Sequence, residues 1–442
     1  MNSQEMTDLC LRHTLYAWSA TGQVAPLPIE RAEGIWLYDP DGNRYLDFNS
    51  QLMSVHVGHG HPKVIERMKA QLDQLIYAWP GSATAPRARL AQRLANLVPG
   101  DINTFFFTLG GAEANENAIK AARLYTGRHK ILARYRSYHG ATNACMQLTG
   151  DPRRLANEPG LPGVIHVMDP VPYDFSFGAT PEEITRNHLT YLEETIHYEG
   201  TDKIAAFFVE TVTGTNGILT PPPGWLEGVR ELCTRHGILL VCDEVMCGFG
   251  RTGKMFAFEH TGAVPDILTM AKGLTSSYAP LGAMGVSDAI ADHFRKEVFW
   301  GGLTYNSHAL SLATAEAVLD VIEEEKLVEH AAALGPVMRE EMDRLQDRHP
   351  CVRDARNIGL FGIVELADGN GDRLVPYRGA HPAMKELNAA FRANGLFTLV
   401  WGGTFFCNPP LIITEAELRD GFAIVDRSLE VVDRAIASGT AR

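Results

Sequence analysis

Residues 225–245 read WLEGVRELCTRHGILLVCDEV. Trp225–His236 has the apolar spacing of a helix with one buried face, and Ile238–Val241 is a short continuous apolar run, the pattern of a strand covered on both sides. The strand runs out into two acids, Asp243 and Glu244. Helix followed by buried strand is one unit of an α/β sheet, and the same signature recurs in both directions along the chain. Apolar runs occur at Phe105–Thr108, Lys130–Arg134, Gly163–Val167, Ile204–Val209, Ile267–Met270 and Leu281–Val286, with helical stretches such as Val64–Leu75, Arg87–Leu97, Glu113–Tyr125 and Pro181–Tyr198 around and between them. This alternation predicts an α/β fold with a mostly parallel central sheet covered by helices.

The pattern changes near Asn306. Long helices are expected at Ala309–Glu325 and Leu327–Arg348, then a strand at Gly359–Glu365 and helices at Ala383–Asn394 and Glu415–Ile436. Ahead of the sheet, Glu33–Phe48 (EGIWLYDPDGNRYLDF) alternates around Asp41-Gly42, a hairpin signal because Asp-Gly suits the positive φ of a tight turn. Three segments follow: residues 1–60, an arm and hairpin contributing to a small domain; 61–306, a large domain; and 307–442, a C-terminal α+β small domain.

Composition narrows the function classes. The chain has 442 residues, of which 45% are hydrophobic and 21% charged, the balance of a globular protein. A net charge of −13 repels phosphate backbones, so nucleic acid is not an expected partner. Cys10, Cys145, Cys233, Cys242, Cys247, Cys351 and Cys407 are scattered without a C-x-x-C pair, which reads as reduced thiols and a cytoplasmic protein. The N-terminus lacks a signal-peptide pattern, and the apolar runs are too short to span a membrane.

Three motifs resemble binding sites and fail in context. Gly248-Phe249-Gly250-Arg251-Thr252-Gly253 matches a dinucleotide fingerprint, but Lys254–Gly262 is a poor helix. The same stretch mimics a phosphate loop with Met255 where Ser or Thr must bind magnesium. His56, His59 and His61 have no nearby carboxylate or cysteine in sequence to complete a metal site, so a hydrogen-bonding cluster in a turn is expected, and no metal centre.

Five dispersed segments carry more. Thr108–Asn115 (TLGGAEAN) is a small-residue turn into a helix, either a phosphate cradle or a plain capped turn. Tyr138-His139-Gly140 could cover a flat ring or be a surface loop. Asp243, at the end of its strand, could pair with a protonated ring nitrogen, cap a helix or bind a metal. Lys272, in Ala271-Lys272-Gly273 after another strand, is either an amine nucleophile of lowered pKa suited to a Schiff base or a snorkelling lysine. Thr304, in Gly301–Asn306, is a phosphate-binding hydroxyl or a helix cap. Together they are the parts of a pyridoxal phosphate site.

With these motifs in this order, the chain resembles the class III aminotransferases, the ω-amino acid and amine:pyruvate transaminase group of fold-type I pyridoxal phosphate enzymes. The resemblance runs from the Glu33–Phe48 hairpin to Asn408–Thr414 (NPPLIIT), and Asp243–Gly253 (DEVMCGFGRTG) and Ala271–Leu274 (AKGL) are its most specific stretches. It implies pyridoxal 5'-phosphate as cofactor. Lys272 would be the Schiff-base lysine and proton carrier, and Asp243 would pair with the pyridinium nitrogen. Val245 and Tyr138, with His139 beside it, would enclose the ring. Gly111 and Ala112 would bind phosphate through backbone N–H groups, Glu210 would help orient the site, and Thr304 would reach the phosphate of a neighbouring subunit. A homodimer, or a tetramer of two such dimers, follows from that shared site. The activity implied is ping-pong transfer of an amino group, through the pyridoxamine form, from a primary amine or ω-amino compound to a keto acid such as pyruvate. The same residues would serve an aminomutase, a decarboxylase or a silent regulatory relative.

Two departures bear on this. Ala112 stands where relatives often have serine. Residues 393–418 contain no arginine, whereas many amine transaminases carry one shortly before Pro409-Pro410-Leu411. The substrate pocket implied by the resemblance involves Met53, Trp79 and Trp401; Arg378 is a candidate substitute cation that nothing in the sequence places in that pocket.

Overall fold

The apolar runs become neighbouring strands of one sheet. In the computed structural model, which describes residues 1–376 and 379–438, the strands are β1 (Ile102–Thr108), β2 (Lys130–Arg134), β3 (Val164–Val167), β4 (Ile204–Glu210), β5 (Leu239–Asp243), β6 (Ile267–Met270) and β7 (Gly282–Ser287). Their order across the sheet is β1-β7-β6-β5-β4-β2-β3. The ladders joining β3, β2, β4, β5 and β6 are parallel, and β7 runs antiparallel to both its neighbours. Helices cover the connections, and β4 and β5 are buried at every residue, which is why they read as unbroken apolar runs.

Register decides what this sheet presents. Glu210 pairs with Asp243, and Asp243 with Thr269. The carboxyl ends of β4, β5 and β6 therefore finish side by side, with Ala271 and Lys272 directly following β6. In sheets of this kind, ligands gather beyond the strand carboxyl ends.

The helix Gly111–Thr126 follows β1 and lies on the sheet through Ala114, Ala118, Ala121 and Ala122, all fully buried. Small side chains let the helix axis approach the strands, and Gly127 closes it in the left-handed conformation, φ +67°. At its start the chain is tighter still. A Cβ on Gly282 of β7 would lie 2.5 Å from the Gly110 carbonyl oxygen and 2.6 Å from Thr108 Oγ1.

Contacts divide the chain into two compact units, Lys63–Glu329 and Met1–Pro62 with the residues from His330 onward. The boundary expected near Asn306 lies ahead of the helix Ala309–Glu324. That helix stays with the sheet unit because its apolar residues are buried there, and because Glu316 accepts from Arg67 and Arg89 while Asp320 pairs with Arg93 of the helix Ala85–Leu97.

The other unit holds two four-stranded sheets. In one, Trp36–Tyr38 and Arg44–Asp47 form the expected hairpin, but its turn is wider than a two-residue Asp-Gly loop. Tyr38 pairs with Arg44, and the Asp39 carboxylate gathers the Asp41 N–H (3.0 Å), the Asn43 N–H (2.8 Å) and Asn43 Nδ2 (2.8 Å). The second sheet begins with Val352–Ile358, a strand that sequence reading missed because its charges hide any apolar run. Arg353 and Arg356 of that strand, with Arg373, converge on Glu365 of the next. His59 Nε2 lies 2.9 Å from buried Asp47, so a carboxylate distant in sequence does reach the histidine turn.

The six buried cysteines and the partly exposed Cys10 are all unpaired. No helix among the described residues is long and apolar enough to cross a membrane.

A methyl group on Gly282 must displace backbone rather than a flexible side-chain end. Gly282→Ala should cost about 1–3 kcal/mol, the usual range for overpacking a tight core, measured by denaturant unfolding against wild type.

Candidate active site

Asp243 ends β5 almost fully buried, and a carboxylate there requires donors. It has three. Asn115 Nδ2 lies 2.7 Å and His139 Nδ1 2.8 Å from Oδ2, and the Val245 N–H donates to Oδ1 at 3.0 Å. Asn115 also donates to the His139 carbonyl (2.8 Å) and accepts from Thr269 Oγ1 (2.7 Å). One amide on the helix Gly111–Thr126 thus ties together the ends of β5 and β6 and the loop after β2. Glu244, next in the chain, points the other way and accepts the N–H groups of Ala257 and Phe258, both at 2.9 Å. It holds the GFGRTG turn, which is a structural loop with Arg251 buried inside it.

Glu210 ends β4. Its carboxylate accepts the Tyr138 N–H at 2.9 Å and the Gly214 N–H at 2.8 Å, and burial pushes its pKa above the usual carboxylate range. It fixes the backbone on which Tyr138 sits. The guanidinium of Arg153 lies 3.8 Å from the Tyr138 ring centroid. It covers one face of that ring, so a flat ligand stacking on Tyr138 has the opposite face. Arg153 is itself bound to Asp151 and, at 2.8 Å, to Thr215 Oγ1.

Lys272 follows β6 with φ +45°, the left-handed region that a lysine rarely enters; Ser276 and Ser277 on the same loop share it. Strain of this kind persists where surrounding structure enforces it. Burial drives the Lys272 pKa below the ordinary lysine value, and the nearby Asp243 and Glu210 carboxylates only partly oppose that. The result is an amine with more of its neutral, nucleophilic form, beside two acids.

The turn at 110–112 opens the helix Gly111–Thr126, and no side chain caps it. A Cβ on Gly110 would meet nothing within 4 Å, whereas one on Gly111 would strike Val245 Cγ1 at 2.7 Å. Uncapped N–H groups at a helix start, with open space before them and Val245 against them, form an anion cradle. Ala112 packs tightly beside Gly140, where a Cβ would come within 2.6 Å of the Ala112 methyl.

Lys272, Asp243, Glu210, Tyr138, His139, Val245, Gly111 and Ala112 are therefore in one unit, at or beside the carboxyl edge of the sheet. Thr304 is exposed, its carbonyl accepting from the Tyr77 hydroxyl at 2.7 Å. Trp79 is 71% exposed. Met53 and Trp401 belong to the other unit. Met53 is buried there, 3.2 Å from Asn49 Nδ2, and Trp401 is exposed. Arg378 lies outside the described residues. Sequence reading missed Asn115, Thr269 and Arg153. A polar Asn in an alanine-rich helix face was a usable signal for the first; nothing local marks the other two.

Residues 18–429 match the profile of the family described as aminotransferase class-III. A taurine:2-oxoglutarate aminotransferase from Bifidobacterium kashiwanohense, solved with PLP and glutamate, superposes with a TM-score of 0.94 at 37% identity, covering 99% of each chain. An (S)-enantioselective omega-transaminase from Thermomicrobium roseum gives 0.93 at 38% identity, over 98% of this chain and 99% of the other. A putrescine–pyruvate aminotransferase of Pseudomonas aeruginosa is 31% identical over 92% of this chain and 91% of its own.

The lowered lysine pKa has a measurable sign. A lysine whose folded pKa lies below the ordinary 10.5 penalises the fold once pH drops below 10.5, fully so below the folded value. Cofactor-free Lys272→Met should therefore melt above cofactor-free wild type at neutral pH, with the gap closing as pH rises past 10. A gap that does not depend on pH would contradict the buried-amine assignment.

Proposed function

The chain belongs to the class III aminotransferases, and from that premise we propose that it moves an amino group from a primary amine or ω-amino compound to a monocarboxylic keto acid, pyruvate foremost, by a ping-pong cycle using pyridoxal 5'-phosphate. The observation carrying this is the side-by-side ending of β4, β5 and β6, which sets Glu210, Asp243 and Lys272 at one edge of the sheet.

The residues present suit the cofactor. Open space before uncapped N–H groups at Gly111 and Ala112 fits a phosphate. The Tyr138 ring and Val245 suit a flat ring, and the well-held Asp243 carboxylate fits a ring N–H. Lys272 would anchor the group covalently. When bound, pyridoxal phosphate supplies an electron sink for the carbanion left as a proton departs from the amine-bearing carbon.

The protein's own part is positional and acid–base. Lys272 Nζ, its neutral form favoured by burial, would accept the proton from the substrate carbon and hold it as an ammonium. Asp243 would hold the ring nitrogen in its protonated form; Asn115 and His139 fix the orientation of that carboxylate. Glu210 holds the Tyr138 backbone, and Arg153 presses on the outer ring face. Residues 393–418 lack an arginine, which leaves no cation there for a second substrate carboxylate. That favours pyruvate, the acceptor named for the Pseudomonas relative, over 2-oxoglutarate, the acceptor named for the Bifidobacterium enzyme.

A second copy of the chain is part of the reading. Ile76, Trp79, Val298, Trp300 and Tyr305 are all more than half exposed, and Tyr77 links the two segments through the Thr304 carbonyl and the Tyr305 ring. An apolar aromatic surface of this kind suits burial in a dimer, in which Thr304 would meet the partner's phosphate.

Lys272→Ala should abolish steady-state transamination in a folded protein, because one amine both anchors the cofactor and carries the proton. Asp243→Asn should cut turnover by orders of magnitude while the cofactor still binds; near-normal turnover would move the ring-nitrogen role to another acid. With one donor, kcat/KM for pyruvate should clearly exceed that for 2-oxoglutarate, and the reverse ranking would place the enzyme with 2-oxoglutarate users. Dilution should lose activity together with dimer dissociation in sedimentation, and a fully active monomer would remove Thr304 from the site.

A further inference from the structure

At the opposite edge of the same sheet, the helices Pro181–Glu199 and Trp225–His236 both end in histidine-bearing turns. They pack closely because Gly228 has no side chain: a Cβ there would lie 2.3 Å from Leu189 Cδ1. Glu193 and His197 stand four residues apart on one helix face, so their side chains meet over one turn. His236, the last residue of the second helix, comes against them. The His197 and His236 rings lie 5.4 Å apart at 85°, and His236 Nε2 is 3.7 Å from Glu193 Oε1. One potential ligand atom from each of the three side chains lies within 4.8 Å of the others, and among the described residues this is the only such group of three or more.

Two further features favour a cation here. His236 Nε2 is buried without a hydrogen-bond partner, and an imidazole nitrogen in that condition costs stability unless something occupies it. The helix Pro181–Glu199 also directs its carboxyl-terminal, partially negative end at the group, whereas Arg128 already donates to the His236 carbonyl at the end of the other. Ligands on a tetrahedral zinc at about 2.0–2.2 Å sit roughly 3.4 Å from one another. The 3.7 Å His236–Glu193 separation is already near that, and exposed His197 can swing to close the rest.

We propose that Glu193, His197 and His236 form a binding site for a divalent transition-metal ion, with Zn2+ the best match to two imidazoles and a carboxylate. This revises the expectation from sequence that the chain holds no metal. The site is separate from the catalytic edge: from Gly237 to Asp243 along β5 is roughly 20 Å of extended chain. Its effect is to clip two helix ends together on the sheet unit. Arg235, which pairs with Glu193 Oε1, is the built-in competitor, and binding must draw the carboxylate away from it or use the second oxygen.

Calorimetric titration of Zn2+ into the cofactor-loaded enzyme should show one saturable equivalent per chain, accompanied by a rise in melting temperature. Loss of outer partners of a metal ligand alone costs about 10–100-fold in affinity, so His236→Ala and His197→Ala should each weaken binding by more than about 100-fold. His197 is exposed, so its variant tests the site without disturbing packing, and Glu193→Gln should weaken binding as well. Arg235→Gln keeps every ligand and removes the competing cation, so it should bind more tightly than wild type. No saturable binding by wild type, or an undiminished equivalent in both histidine variants, would overturn the proposal.

Discussion

The hydrogen bond from Asn115 to Asp243 is the contact on which the arrangement at the carboxyl edge of the sheet turns. Asp243 is buried at the end of a central strand, where an ion without donors would be untenable. Asn115 answers that need from the helix Gly111–Thr126, and the same amide grips the His139 carbonyl and receives the Thr269 hydroxyl. Three pieces of chain that share no local sequence are thereby locked at one level: the strand end carrying the acid, the loop carrying Tyr138, and the strand leading to Lys272. The helix can supply this amide only because its alanines let it lie close to the sheet, and its uncapped start then faces the same space.

Much of the fold was legible because buried parallel strands are apolar along their whole length. Lys130–Arg134, Ile267–Met270, Trp225–His236 and Leu327–Arg348 have the bounds that periodicity indicates, and other elements shift by only a few residues. The failures have separate causes. Val352–Ile358 carries Arg353, Asp354 and Arg356, whose charges are satisfied within its own sheet, so no apolar alternation advertises it. The Asp41-Gly42 turn is wider than expected because Asp39 draws the loop around its own carboxylate. Ala309–Glu324 reads as the start of something new, yet its buried face belongs with the sheet unit.

The site divides along the same line. Residues at strand ends, Asp243 and Lys272 above all, were visible because a charged group after an apolar run needs a reason to be there. Asn115, Thr269 and Arg153 were not, because their roles depend on register and on packing between distant segments. Sequence can mark a group that is costly to bury; it marks much less well the partner that makes the burial tolerable.

That distinction applies to three arginines near the strand ends, each of which has structural partners. Arg134 binds the Glu210 carbonyl (2.6 Å) and Thr213 Oγ1 (3.1 Å) from a fully buried position. Arg136 holds the carbonyls of Val171 (3.1 Å) and Asn216 (2.8 Å). Arg153 is shared among Asp151, Thr215 and the face of Tyr138. Arg134 and Arg153, basic residues that look available in the sequence, are partners of the Glu210 carbonyl and of the Tyr138 ring.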